Sequence, residues 1–264
     1  MPVLLQALSV SCHIMRVTIT IICFFYTLKL FGQINDGEAF FSGNYDKDFV
    51  RLHYIKQVSV ESFINESKKV HSLFEFDSNG LLTQLTISDS IGKKVNDYLF
   101  TYNKQGDQIE RKNIAYELDK TYVVSFNKIY NGSQLIQETS SEHSLVKTYS
   151  YDELGRIVRS TTFFLNDTTI GSKSVSLYNY DGSGKLTDIQ DTYIENNSSV
   201  PISTGKTTYL YNTSGNITEI IRPGIANYEL NYGMDGLLQS KARKMPDEFS
   251  NIHIVDKYSY SFWK

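Results

Sequence analysis

The stretch Tyr149-Ser150-Tyr151-Asp152-Glu153-Leu154-Gly155-Arg156-Ile157 decides how the chain is read. Tyr149 and Tyr151 stand two residues apart, so they share one face of an extended strand, whose side chains alternate with a period of two. Asp152 then opens a turn by folding its carboxylate onto the backbone amides that follow. Gly155, three residues later, supplies the left-handed backbone that a type I turn with a G1 bulge needs, and Ile157 starts the returning strand. These nine residues encode a β-hairpin.

The unit recurs. Further copies are Phe74-Glu75-Phe76-Asp77-Ser78-Asn79-Gly80-Leu81-Leu82, then Phe100-Thr101-Tyr102-Asn103 with Gly106, and Tyr178-Asn179-Tyr180-Asp181 with Gly184 and Leu186. Tyr209-Leu210-Tyr211-Asn212 with Gly215 and Ile217 makes the fifth clear copy. Two copies are degenerate. Tyr130-Asn131 has Gln134 where glycine is expected and keeps Ile136, while Leu230-Asn231-Tyr232 has Gly233 for the acid and keeps Gly236 and Leu238. Gln108 also replaces the aliphatic residue of the Phe100 copy. The second aromatics stand at 76, 102, 130, 151, 180, 211 and 232, so the interval varies from 21 to 31 residues. Such elasticity belongs in connections, for example 166–169 and 195–201.

Seven hairpins with flanking strands give about 15–17 strands. Residues 49–60 and 68–76 read as an opening pair, and 257–262 as a closing strand. The expected fold class is all-β: tandem antiparallel β-hairpins forming one long twisted and curled sheet over 49–264.

The tandem pattern aromatic-Asp-x-x-Gly-x-aliphatic, from about Leu73 onward, resembles the YD repeat of the RHS family. That resemblance implies hairpins coiled into a long curling antiparallel sheet, which in very large members closes into a hollow shell around a toxin. This chain has too few copies for such a shell. It is more similar to small exported YD-repeat proteins of bacterial envelopes.

Residues 1–32 differ from the remainder. They hold both cysteines (Cys12, Cys23) and two of the 26 basic residues (Arg16, Lys29), and none of the 29 acidic ones. A basic n-region at Arg16, an apolar run over 17–28 and small Gly32 before Gln33 give the layout of a secretory leader. The run falls short of the 18 or so apolar residues of a spanning helix. Residues 1–14 carry no charge, so Met15 is a candidate initiator. Cleavage after Gly32 would leave a short N-terminal segment, 33–48, ahead of the sheet. The exported remainder would be free of cysteine and more acidic than the whole chain, whose net charge is −3. With 4 Pro, 2 Cys and 21% charged residues, collagen-like, disulfide-stapled and charge-driven disordered classes are excluded.

Basic residues are scattered among acids, which excludes the clustered cations that nucleic acid requires. The remaining histidines, His53, His71, His143 and His253, never stand at metal-binding spacing, and no cofactor motif is present. Asp77, Asp152 and Asp181 are turn openers rather than catalytic acids or metal ligands. No GxSxG elbow marks a nucleophile. The tyrosine ladder formed by Tyr149, Tyr151, Tyr178, Tyr180, Tyr209 and Tyr211 is a candidate platform for sugar rings, although packing of one sheet face is the better explanation of it. Glycan-contacting aromatics would then be the few left exposed near an open edge. The expected role is a non-catalytic exported scaffold or binding protein of the periplasm, cell surface or medium, recognising carbohydrate or an envelope protein. The alternatives are a hydrolase with a site dispersed over several strands, and an outer-membrane barrel, which the aromatic ending Tyr258-Ser259-Tyr260-Ser261-Phe262-Trp263 resembles.

Overall fold

The computed structural model describes residues 47–141, 145–166, 169–195, 200–246 and 252–263. The expected leader and all but the last two residues of the segment 33–48 lie outside the described residues.

Among the described residues a short helix, α1 (Lys47–Leu52), precedes sixteen strands. They are β1 (Ile55–Ile64), β2 (Ser67–Phe76), β3 (Leu82–Asp89), β4 (Lys94–Tyr102), β5 (Gln108–Ala115), β6 (Lys120–Asn131), β7 (Gln134–Ser140) and β8 (Leu145–Tyr151). There follow β9 (Ile157–Asn166), β10 (Thr169–Tyr180), β11 (Leu186–Glu195), β12 (Ser203–Tyr211), β13 (Ile217–Arg222), β14 (Ala226–Tyr232), β15 (Leu238–Lys244) and β16 (His253–Phe262). Each strand pairs antiparallel with its sequence neighbours, and β16 returns to pair with β1, so the sheet closes into a barrel. At the closure Val58 faces Tyr260, Val60 faces Tyr258 and Ser62 faces Asp256. Closure removes both open edges of a sheet that would otherwise offer them to another chain.

The turns form as their residues dictate. Asp77 Oδ1 accepts the amides of Asn79 (2.9 Å) and Leu81 (2.8 Å), and the Gly80 amide donates to the Asp77 carbonyl (3.0 Å) at φ +80°. Asn103, Asp152, Asp181 and Asn212 repeat this arrangement with Gly106, Gly155, Gly184 and Gly215. One step beyond each turn the register slips. Glu75 faces Gln84 while Phe76 faces Leu82, which leaves Thr83 as an extra residue. The hydroxyls of Thr83, Thr187 and Thr218 donate to the carbonyls of Glu75, Asn179 and Leu210 at such positions. A bulge bends its strand and increases its twist. Repeated in the seven repeat hairpins, it gives a sheet of this width the curvature to close.

Three details differ from the sequence reading. Phe49 belongs to α1 and the first strand starts at Ile55, because Val50, 1% exposed, packs into the apolar core and draws the chain into a helical turn. In the Tyr130 copy the lack of glycine at 134 rules out the usual turn. A two-residue turn at Gly132-Ser133 replaces it, Tyr130 faces Leu135 rather than Ile136, and Ile136 bulges outward, exposed. At the opposite end of the barrel, Asp89 and Gly92 build the same Asp-x-x-Gly turn without any aromatic pair before it.

The aromatic face of the sheet points inward. Val58, Phe74, Leu85, Tyr98, Tyr178, Tyr209, Leu230 and Tyr258 belong to one buried cluster that runs over β1–β4 and β10–β16. Leu85 and Val58 are each 1% exposed, so this part of the lumen is packed with side chains. Some inward positions are polar. Asp256 accepts from Ser62 (2.7 Å) and lies 3.4 Å from Lys241, and Ser176 donates to Asp191 (2.6 Å). Over β5–β8 the inward layer carries Arg111, Lys128, Glu138 and Lys147, where other sectors carry residues such as Leu85 and Ile189.

Candidate functional site: a seam between β5 and β6

The candidate site follows from one regularity and a break in it. Where hairpins adjoin, the ladder stops three residues short of the second aromatic. Gln84 faces Leu99 and then comes Tyr102; Gln137 faces Thr148 and then Tyr151; Asp188 faces Thr208 and then Tyr211. Each of these tyrosines then turns its hydroxyl to the carbonyl of the aliphatic residue in the hairpin before. Tyr102 donates to Leu82, Tyr151 to Leu135, Tyr180 to Ile157, Tyr211 to Leu186 and Tyr260 to Leu238, all at 2.7–2.8 Å. The tyrosine closes the gap left by the shortened ladder.

Between β5 and β6 this closure fails. The last facing pair is Glu110 and Ser125, and Tyr130 comes five residues later instead of three. The third position is Lys128, which lies 3.5 Å from Glu138 on the neighbouring β7. Two extra residues carry Tyr130 past the Gln108 carbonyl, and its hydroxyl donates instead to Asp107 Oδ1. Asp107 also accepts from Asn103 Nδ2 at 3.1 Å. The wall therefore opens into a cleft of about 550 Å³. Asn103, Gln105, Asp107, Gln108 and Ile109 line one side, and Phe126, Asn127, Lys128, Tyr130, Gly132 and Ser133 the other. That volume lies within the ~300–1,000 Å³ of small-molecule sites.

Electrostatically the cleft is balanced. The Arg111 guanidinium lies 6.0 Å from the Phe126 ring, and the Lys128 charge is met by Glu138. Burial, reinforced by its bond to Asp107, pushes the Tyr130 hydroxyl well above its ordinary pKa, so it stays a neutral donor. Among the described residues the lining holds one carboxylate, Asp107, which is engaged by two donors.

The tyrosines singled out from the sequence lie elsewhere. Tyr149, Tyr178 and Tyr209 are 7–8% exposed and point into the barrel. Tyr151, Tyr180 and Tyr211 are half-buried rungs with bonded hydroxyls, and Arg156 and Lys185 sit 4.5 and 5.3 Å over the rings of Tyr180 and Tyr211. Tyr130, Asp107, Phe126 and Lys128 were not singled out. Their signal was the coincidence, in successive copies, of Gln108 for an aliphatic and Gln134 for glycine. A serine–histidine contact also exists, with Ser59 Oγ 2.7 Å from His71 Nε2, but it lies on the outer wall, away from the cleft. Among the described residues no group of three His, Cys, Asp or Glu could hold a metal.

No known family and no curated protein matches the chain. Solved structures do. The Tc holotoxin pore of Photorhabdus luminescens is 18% identical over 70% of this chain, with a TM-score of 0.33. This chain spans only 9% of that one. Porin-like proteins from Bacteroides vulgatus and Bacteroides uniformis are 15% and 12% identical over 79% of this chain, covering 99% and 97% of their own, with TM-scores of 0.38 and 0.37. At these values the likeness is one of strand architecture and carries no function to this chain.

Proposed function

We propose that the chain is an exported YD-repeat barrel of the cell envelope or its surroundings, which stands in water and binds a ligand without catalysis. The observation that carries this reading is the outer wall. Glu75, Lys112, Asp188, Lys206, Glu229 and Lys257 face outward along the strands, opposite in register to the buried aromatic face. A lipid-facing wall needs an apolar band about 25 Å tall, and a lysine at its midplane costs about 2–4 kcal/mol. The packed interior near α1 supports the same reading, since side chains fill that mouth of the barrel.

One observation favours the outer-membrane alternative: sixteen strands closed without an edge meet the requirement that every backbone group in lipid be satisfied. The two readings separate in one experiment. The chain without its expected leader, refolded in detergent-free buffer, should elute as a discrete β-rich species and stay unbound to vesicles. Aggregation in buffer with recovery in detergent or vesicles would reverse the reading.

A further inference from the structure

We propose that the seam between β5 and β6 is a binding cleft for a neutral oligosaccharide, with the ring of Tyr130 as its stacking platform. The inference rests on the reading of the chain as a binding barrel and adds the place and the ligand class. Tyr130 is 41% exposed, whereas the other tyrosines at the rung position, Tyr102, Tyr151, Tyr180, Tyr211, Tyr232 and Tyr260, are half-buried. Its hydroxyl is held by Asp107, which fixes the ring in place before any ligand arrives. An aromatic ring presents a flat apolar face, the surface that the C–H face of a pyranose covers. Gln105, Gln108 and Asn127 also line the cleft, and a side-chain amide is both donor and acceptor, as sugar hydroxyls require.

Charge narrows the class. Lys128 is neutralised by Glu138, and Asp107 is occupied by Tyr130 and Asn103. Among the described lining residues no cation is left over to select a phosphate or a uronate. Neutral hexose or N-acetylhexosamine chains fit that balance, and the open cleft admits an internal segment as readily as a chain end.

The test is calorimetric titration of the purified protein with cello-, manno-, xylo- and chito-oligosaccharides of three to six units. At least one series should bind saturably. Tyr130→Ala should weaken that binding about tenfold or more, and Tyr130→Phe, which keeps the ring but frees it from Asp107, by a smaller factor. Tyr122→Ala, equally exposed on the same strand but outside the cleft, should bind as the parent does. Circular dichroism and melting checks separate lost binding from lost folding. Binding to none of the four series, or binding unaffected by Tyr130→Ala, overturns the proposal. A protein that folds in buffer, binds an extended peptide in the seam and ignores sugars would overturn the ligand class while leaving the water-soluble binding barrel intact.

Discussion

The hydroxyl of Tyr180 donates to the carbonyl oxygen of Ile157, 2.8 Å away and one hairpin back. The bond spans the gap where the β9–β10 ladder has ended at Arg159 and Leu177. Phe76 stands at the same position in the first copy and has no hydroxyl. There the β1–β2 ladder runs on to Gln57 and Glu75, one residue short of Phe76, and no rung is needed. Tyr180→Phe should therefore destabilise the barrel by about 0.5–1.5 kcal/mol, read as a lower denaturation midpoint with an unchanged slope. Phe76→Tyr should give no comparable gain.

Two glycines in one turn predict opposite outcomes. Gly184 sits at φ +87°, a conformation that costs other residues about 1–2 kcal/mol. Gly182, two residues earlier, lacks that constraint, and a methyl group there meets open space. Gly184→Ala should lower the melting temperature by several degrees, and Gly182→Ala should leave it unchanged or raise it slightly.

Leu85 and Leu210 differ only in the face they occupy. Leu85, 1% exposed, fills the packed part of the lumen, whereas Leu210 is exposed on the outer wall. Leu85→Ala should cost about 2–5 kcal/mol and Leu210→Ala less than about 0.5 kcal/mol, measured by urea unfolding. Similar losses at the two positions would mean that the lumen is open to water.

Buried tyrosines make the barrel sensitive to alkali. Burial raises the hydroxyls of Tyr102, Tyr258 and Tyr260 well above their ordinary range and that of Tyr211 to about 12. In the unfolded chain they ionise near 10, so the unfolded state releases protons first as pH rises. The stability they contribute is complete below about pH 10 and is lost between there and the folded values. Absorbance at 295 nm should show these tyrosines ionising in step with the loss of β-structure. Ionisation well ahead of unfolding would contradict their burial.

The hairpins were legible because their causes are local. Asp152 and Gly155 act within five residues, and any nine-residue window contains the evidence. Closure was not legible, since it depends on how much bend each bulge contributes over sixteen strands and on whether Val58 meets Tyr260 some 200 residues later. The six-residue α1 was missed because so short a segment has no period of its own; its placement follows from Val50 and the core it enters. The Asp89–Gly92 turn was passed over for want of an aromatic pair. The seam was half visible. Gln108 and Gln134 stood out as departures, but the displacement of Tyr130 by two residues shows only against the register of the other rungs. Tyr130 is exposed and lies outside the tyrosines first singled out.

The proposed protein is a closed barrel that folds in water. Hydrogen exchange in detergent-free buffer, read at the amides of β1 and β16, tests both parts at once. Closure predicts slow exchange along both edges of Val58–Val60 and Tyr258–Tyr260, equal to that in β3 and β11. Rapid exchange of alternate amides on the facing edges of β1 and β16 would mean an open sheet, and protection appearing only in detergent would mean a barrel made for lipid.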